Sequence, residues 1–152
     1  MILSYKYPIM KSIPILIIIL YLIPMISRGQ QLGNIHLTIQ NIENDKGTLR
    51  IGLFTENDKF LDEASSSKDV TVDGREKIEL DFENIPFGTY AISIYHDLDD
   101  NGKLDANFIG IPKEPVGFSN DHQPKMGPPK FNGAKFDLAQ KQLALTVNMY
   151  SY

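Results

Sequence analysis

No cysteine occurs anywhere in the 152 residues. Disulfides, a thiol nucleophile and lipid attachment through cysteine are thereby excluded, so a small exported domain made from this chain is held by its core or by bound metal. The sequence also lacks an apolar run of the roughly 20 residues that a membrane-spanning helix needs. Its longest, Ile13 to Ile26, is shorter and carries Pro14 and Pro24 near its ends. The serines have no Gly-x-Ser-x-Gly setting, and there is no glycine-rich phosphate cradle. Basic residues are scarce where they would matter for nucleic acid. All 19 Asp and Glu follow Gly29, whereas three of the 15 Lys and Arg precede it, which leaves 12 basic against 19 acidic groups and a net charge of −7. Such a surface repels phosphate backbones and argues against nucleic acid as a partner.

The first thirty residues differ in composition from the rest. Lys6 and Lys11 precede the apolar run, and Ser27-Arg28-Gly29 puts small residues at both recognition positions before Gln30. This is the layout of a secretory signal peptide, residues 1–29, followed by a mature domain of residues 30–152. The expected address is the periplasm or the exterior, with no stable membrane span after processing.

The mature part reads as short strands with period-two alternation, and no stretch keeps a helical period. Asn34 to Ile42 alternates Ile35, Leu37 and Ile39 against His36, Thr38 and Gln40. Asn44 to Gly47 makes a turn, and Thr48 to Phe54 returns with Leu49, Ile51 and Leu53 on one face. A single helical turn fits Asn57 to Glu63. Val70 and Val72 suggest an edge strand, and Lys77 to Phe82 has one solvated face. Thr89 to His96 is weakly polar on both sides, as suits a central strand. Ala134 to Leu138 and Leu143 to Tyr150 complete the set as a final hairpin. The expected fold is all-β, an antiparallel, immunoglobulin-like sandwich of about seven strands. Ile51, Leu80, Phe82, Ile92, Ile94 and Leu145 should be buried together between its sheets. Residues 97–133 hold no convincing regular element. So long a connection is functional or disordered in a compact domain, and Phe108, Ile109, Ile111, Val116, Phe118 and Phe131 argue for an ordered loop folded back over one end.

The ten residues HDLDDNGKLD, 96 to 105, open that loop. Oxygens at positions 1, 3 and 5, Gly at 6, a carbonyl at 7 and a further oxygen at 9 are the pattern of an EF-hand calcium loop. Counted from Asp97, these are Asp99, Asn101, Gly102, the carbonyl of Lys103, and Asp105. Position 12 breaks the pattern, because Phe108 stands where a bidentate Glu belongs, and a strand replaces the helix on entry. Two readings stay open: a Ca²⁺ site completed by other oxygens, or an acidic type I′ turn at Asn101-Gly102. Of the histidines, His36 falls on a wet strand face, His96 reads as a hydrogen-bonded residue at the core edge, and His122 lies in a polar turn. His96, Phe118, Ser119, Asn120 and His122 are the residues by which the long loop could hold a ligand.

Tyr-Ala-Ile-Ser-Ile-Tyr-His-Asp at 90–97, Asn-Gly-Lys-Leu-Asp at 101–105 and Gly-Ile-Pro-Lys-Glu-Pro-Val-Gly-Phe-Ser-Asn at 110–120 resemble the bacterial family of domain of unknown function 2141. Gly127-Pro128-Pro129 and Ala134-Lys135-Phe136 fit as well, and the resemblance runs from about Gly33 to the C-terminus. It implies an exported protein with no established activity. The family is similar to transthyretin-like and carboxypeptidase-regulatory-like sandwiches, where Gly-x-Tyr begins a strand, as Gly88-Thr89-Tyr90 does here. The hydrolases of that fold end in Tyr-Arg-Gly-Ser, whereas this chain ends Asn148-Met149-Tyr150-Ser151-Tyr152. The expected function is therefore noncatalytic: a module that presents a cation-stiffened loop to an envelope protein or glycan. The alternative is a small periplasmic hydrolase using His96, Asp97 and His122 in a loop cleft.

Overall fold

The computed structural model describes residues 29–123 and 127–152, so the expected signal peptide up to Arg28 lies outside the described residues. Among the described residues, eight strands form two sheets: β1 (Leu32–Gln40), β2 (Thr48–Thr55), β3 (Ser66–Thr71), β4 (Ile78–Pro86), β5 (Gly88–Asp97), β6 (Val116–Phe118), β7 (Phe136–Leu138) and β8 (Gln142–Asn148). The smaller sheet has the order β4-β1-β8, and the larger runs β3-β2-β5-β6 with β7 also on β5. Alternation places these strands as the sequence predicts. In β1, Ile35, Leu37 and Ile39 are fully buried while the residues between them are half-exposed. In β2, Leu49, Ile51 and Leu53 do the same from the facing sheet.

The inter-sheet core joins these six with Phe82, Ile92, Ile94, Leu138 and Val147; Leu80 and Leu145 pack against it while remaining partly exposed. Burying one such aliphatic side chain contributes about 1.5–3 kcal/mol. These contacts hold the sandwich together without a disulfide.

Three expectations need correction. The last two strands are not a hairpin: β7 pairs with β5 in one sheet, and β8 pairs with β1 in the other. The three residues between them form a corner packed onto Gly33, where a Cβ would sit 2.5 Å from the Gln140 carbonyl oxygen. As a result β8 runs parallel to β1, with Leu37 opposite Leu145, so one pair departs from the antiparallel rule that the others keep. Second, the long loop contains a strand. Val116–Phe118 adds to β5, and Gly117 lets it approach β8, since a Cβ there would meet Val147 at 2.8 Å. Third, residues 57–63 make only turns, including a bond from Glu63 N–H to the Lys59 carbonyl.

A second apolar layer lies on the outer face of the larger sheet. Ala91, Val116, Phe118 and Ala134 are buried there beneath Phe60, Leu61 and Phe131. Phe60 stands edge-on to both Phe54 and Phe131, with ring centroids 5.1 and 5.8 Å away. The 56–64 connection is thus pinned to the one-turn helix α1 (Phe131–Ala134). Among the described residues, no helix is long and apolar enough to cross a membrane.

Candidate functional site: an outer groove beside an acidic turn

Asp97 ends β5 and its side chain is buried completely. It projects from the face opposite His96, because successive residues of a strand alternate. One carboxylate oxygen accepts the Asn101 N–H at 3.0 Å; the other accepts the Gly102 N–H at 2.8 Å and the Arg50 Nε–H at 3.0 Å, and forms an ion pair with a terminal guanidinium nitrogen at 2.9 Å. Burial opposes ionisation, yet the Gly102, Arg50 and Asn101 hydrogen bonds outweigh it and hold this carboxyl below the ordinary range. A buried carboxylate is tolerated because every oxygen is answered. The turn it organises carries Asp100 and Gly102 at positive φ, with the Thr48 hydroxyl donating to Asp100 at 2.7 Å.

Asp97 and Asp99 share a cluster with Glu114, one carboxylate oxygen of each lying within 4.8 Å of the others. Glu114 is nearly buried and clamps the loop across sixteen residues, accepting the Leu98 N–H at 2.8 Å through one oxygen and the Asp105 N–H at 2.9 Å through the other. Sequence spacing did not point to Glu114, since it falls beyond position 12 and sits between Lys113 and Pro115. Of the remaining expected ligands, the Asn101 side-chain oxygen accepts the Lys103 N–H at 2.8 Å, and Asp105 faces the Asn101 amide at 3.5 Å without joining the cluster.

The ligand-loop residues separate. His96 is fully buried and donates Nε2–H to the Lys46 carbonyl at 2.7 Å, which leaves Nδ1 without a partner. The Ser119 hydroxyl is buried, accepting the Ile92 N–H at 2.9 Å and donating to the Ala134 carbonyl. Phe118 is buried in the outer layer. Asn120 and His122 line a separate hollow with Asp121 and Pro128, and the His122 ring lies 3.2 Å from where a Cβ of Gly133 would be. His96, Asp97 and His122 thus face three different surroundings.

The cavity that the strands do build lies on the outer face of the larger sheet, with a volume of about 1110 Å³. Its floor combines a row of small residues in register, Ser67 on β3, Gly52 on β2 and Ser93 on β5, with the Phe54 ring, which lies over Gly52 so closely that a Cβ there would meet it at 2.7 Å. The next row, Asp69, Arg50 and Tyr95, forms a polar end, with Arg50 bonded to Asp69 at 2.7 Å and the Tyr95 hydroxyl donating to the Gly102 carbonyl at 3.1 Å. Leu61 forms one wall and adopts a φ of 76°, a strained conformation for a bulky residue of the kind that gathers at ligand clamps.

The opposite lip is a closed hairpin, residues 105–113. Lys113 N–H bonds to the Asp105 carbonyl, Ala106 bridges Pro112, and the Asn107 side-chain oxygen takes the Ile109 and Ile111 N–H groups at 3.0 and 2.9 Å. Held this way, the hairpin leaves its apolar side chains largely uncovered. Phe108 is 99% exposed and Ile109 65%, with Leu104 and Ile111 each at 41%. The expectation that Phe108, Ile109 and Ile111 pack down with Val116 and Phe118 is therefore corrected; only the latter two are buried.

Architecture and groove together define a small β-sandwich with a ligand-sized cavity on one outer face. The chain belongs to the bacterial family described as "Uncharacterized protein conserved in bacteria (DUF2141)", whose sequence profile matches residues 37–146. No curated protein matches the chain, and no solved structure does either.

Proposed function

We propose that this protein is an exported, noncatalytic module that holds a component of the cell envelope in the outer groove. The observation that carries this reading is the 1110 Å³ cavity, whose floor of small residues lies between the strained Leu61 wall and the stiffened hairpin. Its size and mixed lining suit a binding site. The leader-like first segment supports export.

In this reading, Ca²⁺ stiffens the acidic turn at the foot of the lip. Hard oxygen donors suit that ion, and Asp97, Asp99 and Glu114 offer three carboxylates, with the Asn101 and Asp105 side chains and the Lys103 carbonyl as the further donors expected from the spacing. Arg50 already offsets the charge of Asp97, so Asp99 and Glu114 supply the surplus negative charge. Because Glu114 bonds to both Leu98 and Asp105, holding it also holds the hairpin. The test is capture of envelope extract components on the purified protein, with and without chelator, beside Ser93→Leu, which fills the floor. Components retained by wild type and lost from Ser93→Leu are expected; equal retention by both proteins would remove the groove as the site.

A further inference from the structure

We propose that the occupant of the groove is the acyl chain of a lipid, an inference that rests on the groove being the binding site. The floor is the face of a sheet and not its edge. The main-chain groups of β2 and β5 are consumed in ladders with their neighbours, Ser67 to Gly52 to Ser93 across the floor. A peptide laid there would bury its own N–H and C=O groups with no partners, a loss that main-chain recognition avoids by using an open strand edge. A methylene chain has no such groups to satisfy.

Charge points the same way. Of the charged side chains at the lining, Arg50 and Lys103 balance Asp62 and Asp69, with Arg50 bonded to Asp69. The lining thus offers no surplus charge to an ionic partner. A glycan needs many hydroxyl partners, whereas the walls are mostly apolar, with Phe54, Leu61, Leu104, Ile109, Ile111 and Phe118 contributing. The volume exceeds the roughly 300–1,000 Å³ of ordinary small-molecule pockets and so accommodates a long chain.

The lip supplies a route in. Ile109 lines the groove, while its neighbour Phe108 stands out into solvent at the tip of a pre-ordered turn. Two apolar side chains touching a bilayer give weak, reversible contact, as suits pick-up of a chain and not permanent anchoring. The Gly102-to-Pro112 segment that frames the mouth is the one tied to the acidic turn through Glu114.

The experiment is titration of the purified protein with cis-parinaric acid, followed by transfer of the same probe from phosphatidylethanolamine–phosphatidylglycerol vesicles. Saturable uptake of one probe per chain is expected. Ser93→Leu should weaken it at least tenfold, and Ser67→Leu, on the exposed edge strand, should weaken it severalfold, with unchanged circular dichroism in both. Phe108→Ser should leave affinity within twofold and slow transfer severalfold. Absence of saturable uptake by wild type, or equal uptake by both floor-filled variants, overturns the proposal. Loss of a captured envelope protein or glycan from Ser93→Leu without any probe uptake overturns the acyl chain and leaves the groove standing. No probe uptake, with envelope capture indifferent to Ser93→Leu, removes both.

Discussion

The two faces of β5 were built from neighbouring residues to opposite ends. Toward the other sheet it presents Tyr90, Ile92, Ile94 and His96, all buried; outward it presents Ala91, Ser93 and Tyr95, of which the latter two remain partly exposed. On β2 the same split sets Leu49, Ile51 and Leu53 against Arg50, Gly52 and Phe54. Large aliphatic side chains fill the space between sheets to close packing. On the outer face the small Ser67, Gly52 and Ser93 sit between the larger Arg50, Tyr95 and Phe54, and the covering loops close over only part of that face. The same strands therefore make a continuous core on one side and a partly covered hollow on the other, and the hollow follows from where the small side chains lie in register, not from the backbone.

The hardest way to break that contrast is to shrink the inner face. Ile92→Ala should lower stability by about 2–5 kcal/mol in urea unfolding, because it opens a void in a closed core. Ser93→Ala, one residue away, should stay within about 0.5 kcal/mol of wild type. Similar losses at both positions would show that the outer face is as closely packed as the inner one.

A second, smaller effect belongs to the polar end of the outer face. Asp97→Asn should cost about 1–3 kcal/mol in chelator at neutral pH, since it weakens charged hydrogen bonds to Arg50 and the turn amides. The folded-state carboxyl lies below its usual value of 3.8. Its contribution is therefore fully present above that value and is lost as pH falls through the depressed folded value. The stability gap between wild type and Asp97→Asn should close on acidification below about pH 4 in the same chelated buffer. A gap that stayed constant down to pH 2 would mean that Asp97 is held no more tightly in the fold than in the open chain.

The inner face was legible and the outer one was not, for a physical reason. Alternation along β1, β2, β4 and β5 is a local pattern, readable wherever Ile, Leu and Phe recur every second residue. The groove depends on which small residues lie side by side across three strands, Ser67, Gly52 and Ser93, and that is a matter of register. The hairpin expected at the C-terminus failed in the same way: three linking residues suit a hairpin, but the open edge of β1 takes β8 instead. β6 was hidden by its length of three residues behind Pro115. In the acidic turn, Asp97 and Asp99 stood out by their spacing, whereas Glu114 joins them only through the folded hairpin.

The proposed Ca²⁺ site sharpens the comparison, because an ion held there would act on the outer region alone. At ten times its dissociation constant an ion that binds only the folded state adds about 1.4 kcal/mol, and exported modules commonly bind it at about 10⁻⁴–10⁻³ M. Several millimolar Ca²⁺ should raise the melting temperature of wild type and do much less for Asp99→Ala and Glu114→Gln. If the turn is merely acidic, chelator leaves melting unchanged and Asp99→Asn is neutral or slightly stabilising through relief of repulsion. Calorimetry without heat, together with no melting shift, would decide for that turn.

The smallest expected effect is at the lip, and it separates exposure from burial for one residue type. Phe82 is fully buried between the sheets, while Phe108 is 99% exposed at the hairpin tip. Truncating a core Phe to Ala costs about 3–5 kcal/mol, because it removes contacts and leaves a hole. Phe108 has almost no buried surface to lose, and the hairpin beneath it is held by Asn107 and by the Lys113 N–H to the Asp105 carbonyl. Phe108→Ser should therefore change stability by less than about 0.5 kcal/mol in urea unfolding, and the protein should stay soluble at higher concentration once the apolar tip is gone. A loss of 2 kcal/mol or more would mean that Phe108 is covered in the folded protein, which would close the mouth of the groove.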